Sequence, residues 1–438
     1  MDNTLDYMDQ ASFLGLRALG HGPVIQFTWI YEHDVDLVAL RRFHRDLGRG
    51  FLGRRIERSP LPFGRHRWIA WPGPTDVDVA RAPRPRSELT AWTDEQARLP
   101  IDPEWGPSWR LAVLPLTSGG AAVTLVASHT VADGVGLSIA VANAVRGETA
   151  NPGYPPSGSR NTLSALRTDS RATIRALPEV GRALAAALRL ARGGDDAVLS
   201  RQGAGGTSTG VRGEVTVPSV TAYVNSGEWD EKAASLGGTS NSLFLGVATR
   251  LGYRLGYVAA DGNATLSLPV NERIADDTRG NALTGVTLSA DPAGVTADLR
   301  GVRADLKVAL STLGEARHQL LAPLPLTPLI PRVLARRLES MVVGTAVIGC
   351  SNLVEIDPAV NRPDGTDADY FAIRMFEHSD WAYPRRAIAF PPVVSGRIGG
   401  RVFLSVGYAE ADRTTTTTEL KETVRGALAD FGLTGFIE

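Results

Sequence analysis

The sequence predicts a mixed α/β protein of more than one domain, and three observations carry that expectation. Short β-branched and aromatic runs alternate with longer segments of helical apolar spacing along the whole chain. The length of 438 residues exceeds one ordinary core and suits two large domains as well as three small ones. Between residues 148 and 213 the composition shifts toward turn formers and Ala, Leu and Arg, which is where a boundary belongs. We expect an N-terminal lobe over 1–150, a crossover helix and flexible linker over 151–213, and a C-terminal lobe over 214–438.

Val24 to Tyr31 reads as a strand because β-branched and aromatic residues crowd it. Val35 to Leu47 places Leu37, Val38, Leu40, Phe43 and Leu47 at helical spacing, and Gly48 stops it. Arg65 to Ala70 is a further strand, bounded by Pro72, Gly73 and Pro74. Trp109 to Leu116 and Ala121 to Ser128 flank Thr117-Ser118-Gly119-Gly120, the pattern of a hairpin whose second strand runs into His129. Asn151 to Ser159 breaks regular structure, and Gly203 to Gly210 has the composition of a flexible linker. Between them Arg171 to Arg192 has helical periodicity, interrupted at Pro178. Its arginines suit a crossover helix with a solvated basic face, the commoner case, or a helix lying on a membrane.

Glu214 to Asn225 opens the second half as a strand. A helix over Glu228 to Leu236 precedes Gly237-Gly238, and a longer one follows from Ser242 to about Tyr257, with Thr239 or Ser240 as its cap. Thr265 to Val270 is a strand running into Asn271-Glu272-Arg273, Gly285 to Ala290 is another, and residues 295–320 are helical. Leu321 to Pro331 holds too many prolines for a regular helix, and is apolar enough to line a groove or to pack internally. Met341 to Cys350, Tyr370 to Met375, Arg397 to Tyr408 and a terminal helix over Thr418 to Phe431 complete the α/β second half. The threonine run 414–418 forms the cap region of that helix.

Composition excludes several classes of function. A hydrophobic share of 43% with 21% charged residues is ordinary globular usage, so disordered, collagen-like and coiled-coil chains drop out. The 46 basic and 47 acidic residues leave a net charge of −1, with no overall field to draw nucleic acid. The single cysteine, Cys350, rules out an intrachain disulfide framework and a cysteine-built zinc site. All but three of the 46 basic residues (Lys232, Lys307 and Lys421) are arginine, the usage of a GC-rich genome. No apolar run is long enough for a transmembrane segment, and the acidic start Met1 to Asp6 lacks the features of a secretory signal. We expect a cytoplasmic protein, monomeric or weakly dimeric, without a nucleic-acid partner. Neither a P-loop nor a strand-linked GxGxxG occurs, which removes nucleotide hydrolysis and hydride transfer.

The stretch Ser128-His129-Thr130-Val131-Ala132-Asp133-Gly134 concentrates chemistry. A histidine ends an apolar strand, an aspartate follows four residues on, and a glycine comes next. Strand ends present side chains from a rigid base. An imidazole titrates near neutrality, which suits a general base acting on a hydroxyl or amine. Gly134 removes a side chain and permits a tight turn beside the site. The spacing alone leaves open whether His129 is structural or catalytic. His378 with Asp380 is a two-ligand pair, short of a metal site, and no metal is expected. His66, amid arginines, is a surface strand residue or a contact for an anionic phosphate.

With its flanks, this stretch resembles the HxxxDG active-site motif of the CoA-dependent acyltransferase superfamily. That superfamily covers chloramphenicol acetyltransferase, plant acyltransferases, peptide-synthetase condensation domains and bacterial wax ester synthase/diacylglycerol acyltransferases. The last branch, with its polyketide-associated acyltransferase relatives, looks most similar. Asp6 to Leu14 resembles its opening segment, and Pro62 to Arg67 its Arg-rich strand entry. Leu236 to Phe244 is similar to its GxTxND helix start, Pro269 to Arg273 with Gly280-Asn281 to its PVSxR…GN element, and Cys350-Ser351-Asn352 to its late SN step. These matches come in the family's order across nearly the whole chain. Three features depart from it: Ser128 stands where many members carry the first of two histidines, the plant DFGWG is absent, and Leu353-Val354-Glu355 replaces a proline-glycine pair after SN.

The resemblance implies two chloramphenicol-acetyltransferase-like lobes with mixed β-sheets and an interlobe tunnel holding His129, entered by donor and acceptor from opposite faces. It implies acyl transfer from CoA or a carrier-protein thioester to an acceptor alcohol, or to an amine, with His129 as general base. No bound cofactor is implied, since the acyl-CoA or phosphopantetheinyl thioester is a co-substrate. Asp133 is then structural and paired with Arg273, with Gly134 beside it. Ser351 or Asn352 supplies an oxyanion donor or forms only a polar turn. The alternatives are a free-standing condensation enzyme joining carrier-bound substrates, a non-catalytic recruitment protein, and a cyclising variant of the fold.

Overall fold

The computed structural model describes residues 3–20, 22–149, 152–192, 217–330, 347–377, 391–408 and 415–438. Helix α1 (Tyr7–Leu19) begins where the Asp6 carboxylate accepts the Met8 N–H at 3.0 Å. Strand β1 (Pro23–Tyr31) and helix α2 (Leu37–Arg49) follow, then β2 (Arg54–Glu57) and β3 (Arg67–Ala70), which pair with each other. The first half continues through β4 (Asp78–Val79), α3 (Leu89–Arg98), the hairpin β5 (Trp109–Pro115) and β6 (Ala121–Ser128), and α4 (Gly134–Arg146). Helix α5 (Thr162–Arg192) crosses to the second half. There β7 (Ser219–Asn225), α6 (Ser226–Ser235), α7 (Ser240–Arg254), β8 (Ala264–Asn271), β9 (Leu283–Ala290) and α8 (Arg300–Leu321) precede β10 (Val347–Glu355). The chain closes with β11 (Tyr370–Glu377), β12 (Pro392–Ile398), β13 (Arg401–Gly407), α9 (Thr417–Ala429) and β14 (Phe436–Ile437).

Two mixed sheets organise these elements into two lobes, as the fold class read from the sequence requires. The first runs β11-β1-β6-β5-β4 and the second β14-β7-β13-β12-β10-β8-β9. Most neighbours are antiparallel, with parallel steps at β4–β5 and on both sides of β10. The first core is the richer in aromatics, with Phe27, Trp29, Phe43 and Trp109 all buried; the second packs aliphatics around Phe244, Leu404 and Phe431. No described helix is long and apolar enough to cross a membrane.

Strand β11 ties the lobes together. It comes from the second half of the chain, yet it pairs with β1, from Tyr370 opposite Ile30 to Glu377 opposite Pro23. On the far face of that sheet Arg374 donates from Nε to Gln26 at 2.7 Å and sits 2.7 Å from Asp94.

Several elements differ from the sequence reading. Helix α5 is continuous through Pro178, because the proline is exposed and the carbonyl it leaves without an N–H partner belongs to exposed Ile174. The stretch Arg397 to Tyr408 is the closing part of a hairpin, β12 and β13 turning through Gly399-Gly400. Helices α1, α3 and α4 are additional; α4 buries Leu137, Ala140, Val141, Ala142 and Ala144, which blurs a single apolar stripe. The proline-rich segment forms a 3₁₀ turn over Leu324–Leu329 and lines a cavity of about 350 Å³ away from His129. Thr239 and Thr416 cap α7 and α9, each in a reciprocal capping box. Residues 203–210, 214–216, 341–346 and 378–380, which include His378 and Asp380, lie outside the described residues.

Candidate active site

The β1–β6 ladder continues one residue past β6, where the His129 N–H donates to the Pro23 carbonyl at 3.0 Å. Side chains alternate along a strand, so His129 shares the face of Ala127 and of its cross-strand neighbour Ile25. That face looks into a cavity of about 240 Å³ between the two sheets. Ile25, Ile373 and Met375 wall it from the first sheet, and Ser267, Leu283, Ser351 and Val393 from the second half. The walls are largely apolar, and His129 brings an imidazole to them. Cys350 also borders the space, but burial raises its thiol pKa and keeps it protonated and inert.

Asn281 fixes the state of the imidazole. Its Nδ2 donates to the His129 carbonyl at 3.1 Å and to Asp9 Oδ1 at 3.3 Å, so both amide hydrogens face oxygens. The Asn281 Oδ1 must then be the atom 3.0 Å from His129 Nδ1, and only an Nδ1–H can satisfy it. The proton is held on Nδ1, and Nε2 is left as the basic nitrogen. Behind Asn281 the Asp9 carboxylate, on α1 and fully buried, accepts the Gly280 and Asn281 N–H groups at 2.8 and 2.7 Å. Burial pushes the Asp9 pKa up to about 6, while Arg54 and these two N–H groups pull it down.

Asp133 borders the cavity, and its carboxylate is engaged within the loop. It is the N-cap of α4, with Oδ1 accepting the Gly136 N–H at 2.6 Å. Its Oδ2 accepts Arg273 Nη2 and the Ala282 N–H, both at 2.8 Å. Arg273 also donates to the carbonyls of Asp277, Arg279 and Gly280, so one guanidinium gathers the 273–282 loop against the motif. A Cβ at Gly280 would lie within about 3 Å of Asp9 and of the Thr130 and Val131 carbonyls, which only glycine avoids. Gly134 has a different role from the tight turn expected of it. It opens α4 without a left-handed φ, and a Cβ there would only touch Leu353 at 3.6 Å.

Of the two candidates on β10, Asn352 is already engaged. Its Nδ2 donates to Asn241 at the start of α7 at 3.0 Å, and its Oδ1 accepts the Val354 N–H at 3.0 Å. Ser351 borders the cavity from the same strand. Ser128, in the position of the first family histidine, turns its hydroxyl to the Thr130 N–H at 3.3 Å, inside its own loop. His66 is buried rather than on the surface, edge-on to Phe13 at 5.1 Å, and is remote from this cavity. Among the described residues no group of three or more His, Cys, Asp or Glu side chains is placed to hold a metal.

The sequence alone assigns no role to Asn281, Asp9 or Arg54. Arg54 is fully buried between the Phe51 and Trp68 rings, 3.8 and 4.1 Å from their centroids. It donates to the Val131 carbonyl at 2.7 Å and to the Thr278 carbonyl, clamping the motif loop to the loop that carries Asn281. The only signal for Asn281 is its place in the Gly280-Asn281 pair.

In overall fold the chain is similar to polyketide synthase associated protein 5 from Mycobacterium tuberculosis, at 15% identity and a TM-score of 0.56 over 97% of both chains. It is similar to the first condensation domain of the calcium-dependent antibiotic synthetase in complex with a substrate analogue, at 14% identity and a TM-score of 0.60. That match covers 98% of this chain and 96% of the other. A further structure of the first condensation domain of the CDA synthetase gives 15% identity and a TM-score of 0.55, covering 100% and 99%. No protein-family model matches the sequence, and no curated protein matches it. The chain therefore has the two-lobed fold of these condensation domains, with the His129 cavity between its lobes.

Proposed function

We propose that the protein transfers an acyl group from a thioester to an acceptor hydroxyl, forming an ester, in lipid or natural-product biosynthesis. The observation that carries this reading is the His129 imidazole, its proton held on Nδ1 by Asn281 and its ring on an apolar cavity between the lobes. Nε2 takes the hydroxyl proton as the acceptor oxygen attacks the thioester carbonyl carbon. The tetrahedral intermediate then expels the thiolate, which recovers that proton from Nε2, so the base is regenerated with a free thiol as co-product. Such base catalysis contributes roughly 10²–10⁴-fold. Ser351 is the candidate donor to the oxyanion, since the amide of Asn352 is spent on Asn241.

The donor is CoA or a carrier protein. The likeness to condensation domains favours the second reading, a free-standing condensation enzyme acting on carrier-bound substrates. A recruitment protein has no use for a tautomer-locked imidazole facing an apolar cavity between the lobes. The test is thiol release from acyl-CoAs of graded length and from acyl-loaded carrier protein, with alcohol and amine acceptors and mass-spectrometric identification of products. Ester from either donor supports the proposal. Amide from carrier-bound substrates alone moves the assignment to condensation, and no product from any pair contradicts both.

A further inference from the structure

The outer face of α5 carries two parallel features that acyl transfer leaves unused. Leu163, Ile174, Leu177, Leu184 and Leu188 are all exposed, from 46% for Leu188 to 79% for Leu163. At about 100° per residue these five fall within roughly 80° of arc. Arg167, Arg171, Arg175, Arg182 and Arg189 fill the adjoining arc and are exposed as well. The two acidic residues of α5 are engaged on its inner side: Asp169 is buried against Arg67 and Arg160, and Glu179 accepts the Tyr7 hydroxyl at 2.9 Å. The exposed strip is thus aliphatic along one edge and cationic along the other. At about 1.5 Å per residue it runs on the order of 39 Å from Leu163 to Arg189. Beside its midpoint Phe63 and Leu329, also exposed, border a cavity of about 350 Å³ together with Leu177 and Arg175.

We propose that this strip seats the protein on an anionic lipid surface, with α5 lying in the plane of the interface. In a chain whose net charge is −1, five arginines stand in one row with no acidic side chain of the helix exposed among them. Lipid headgroups take the arginines while the acyl boundary beside them takes the aliphatic edge. Duplex phosphates would satisfy only the arginines and leave five aliphatic side chains in water. A second copy is also a poorer occupant, because antiparallel two-fold pairing about the aliphatic seam sets the arginine row against itself. The proposal does not depend on the acyl-transfer assignment.

Co-sedimentation of the full chain with phosphatidylcholine vesicles, with and without phosphatidylglycerol, tests it. The expected result is binding to the phosphatidylglycerol vesicles only, weakened by salt. At roughly fivefold per arginine, the triple variant Arg171→Gln/Arg175→Gln/Arg182→Gln should bind on the order of a hundredfold more weakly. Ile174→Ser/Leu184→Ser should also release the protein, with circular dichroism and thermal unfolding confirming that both variants stay folded. Failure to bind, or equal binding to neutral vesicles that ignores the arginines, overturns the proposal. So does a dimer in analytical ultracentrifugation that Leu184→Ser abolishes without any vesicle binding, which assigns the strip to a second copy. Binding to duplex DNA in place of vesicles overturns it in favour of a nucleic acid.

Discussion

Asp133 and Arg273, 140 residues apart in sequence, meet at 2.8 Å with each side chain 5% exposed. Asp133 accepts from Gly136 at Oδ1 and from Arg273 and Ala282 at Oδ2, so the carboxylate holds the motif loop. Removing one partner of a buried, hydrogen-bonded pair costs about 3–5 kcal/mol. Arg273→Ala should therefore lower the urea stability by that amount, and Arg273→Lys should recover little of it, because one ammonium cannot replace two guanidinium nitrogens. A loss below about 1 kcal/mol, the range of exposed ion pairs, would contradict the arrangement.

Asn281 acts through His129. In Asn281→Ala the ring loses the acceptor that keeps its proton on Nδ1, and the share of molecules with a free Nε2 falls. We expect kcat to drop by up to the roughly 10²-fold lower bound of base catalysis while KM barely moves. Nitrogen chemical shifts of the His129 ring would report the tautomer directly. An unchanged tautomer in the variant would remove Asn281 from the account.

The two neighbours on β10 should separate by phenotype. Ser351→Ala should cost roughly 10²–10³-fold in kcat with stability intact, the usual loss of an oxyanion donor. Asn352→Ala should act mainly on stability, since its amide bridges β10 to α7. Steady-state kinetics and thermal melts on both variants decide this, and the reverse pattern would move the oxyanion role to Asn352.

His66 gives the fold a pH dependence. Burial, reinforced by the charge of Arg58, lowers its pKa to about 4, and its Nδ1 accepts the Ser59 N–H at 3.2 Å. Between roughly pH 6.5 and 4 the unfolded chain binds the proton that the folded one refuses. Stability from this group is therefore complete above about pH 6.5 and falls by about 3 kcal/mol as the pH drops to 4. Urea titrations of the wild type and His66→Asn across that window should show a shallower slope in the variant. Identical slopes would mean that His66 is not held neutral.

The legible part of the site is the part that lies in consecutive residues. A strand end, His129, Asp133 and Gly134 stand together, and the hairpin signal around Gly119-Gly120 places them just after β6. Arg273 is reachable only through family resemblance, and Asn281 only as the end of a two-residue element. Asp9 and Arg54 give no signal of their own. An aspartate near a helix start and an arginine in a short strand look like surface residues until distant segments bury them. The same holds for β11, whose place in the first sheet is set by its ladder with β1, a segment distant in sequence. Pro178 misleads for a local reason: exposure lets water satisfy the carbonyl that a buried proline would strand.

Acceptor-dependent thiol release measures whether His129 is the base. With an acyl thioester that the wild type consumes, His129→Ala should stay folded and release thiol roughly 10²–10⁴-fold more slowly. Release at the wild-type rate from a folded His129→Ala protein would contradict the account.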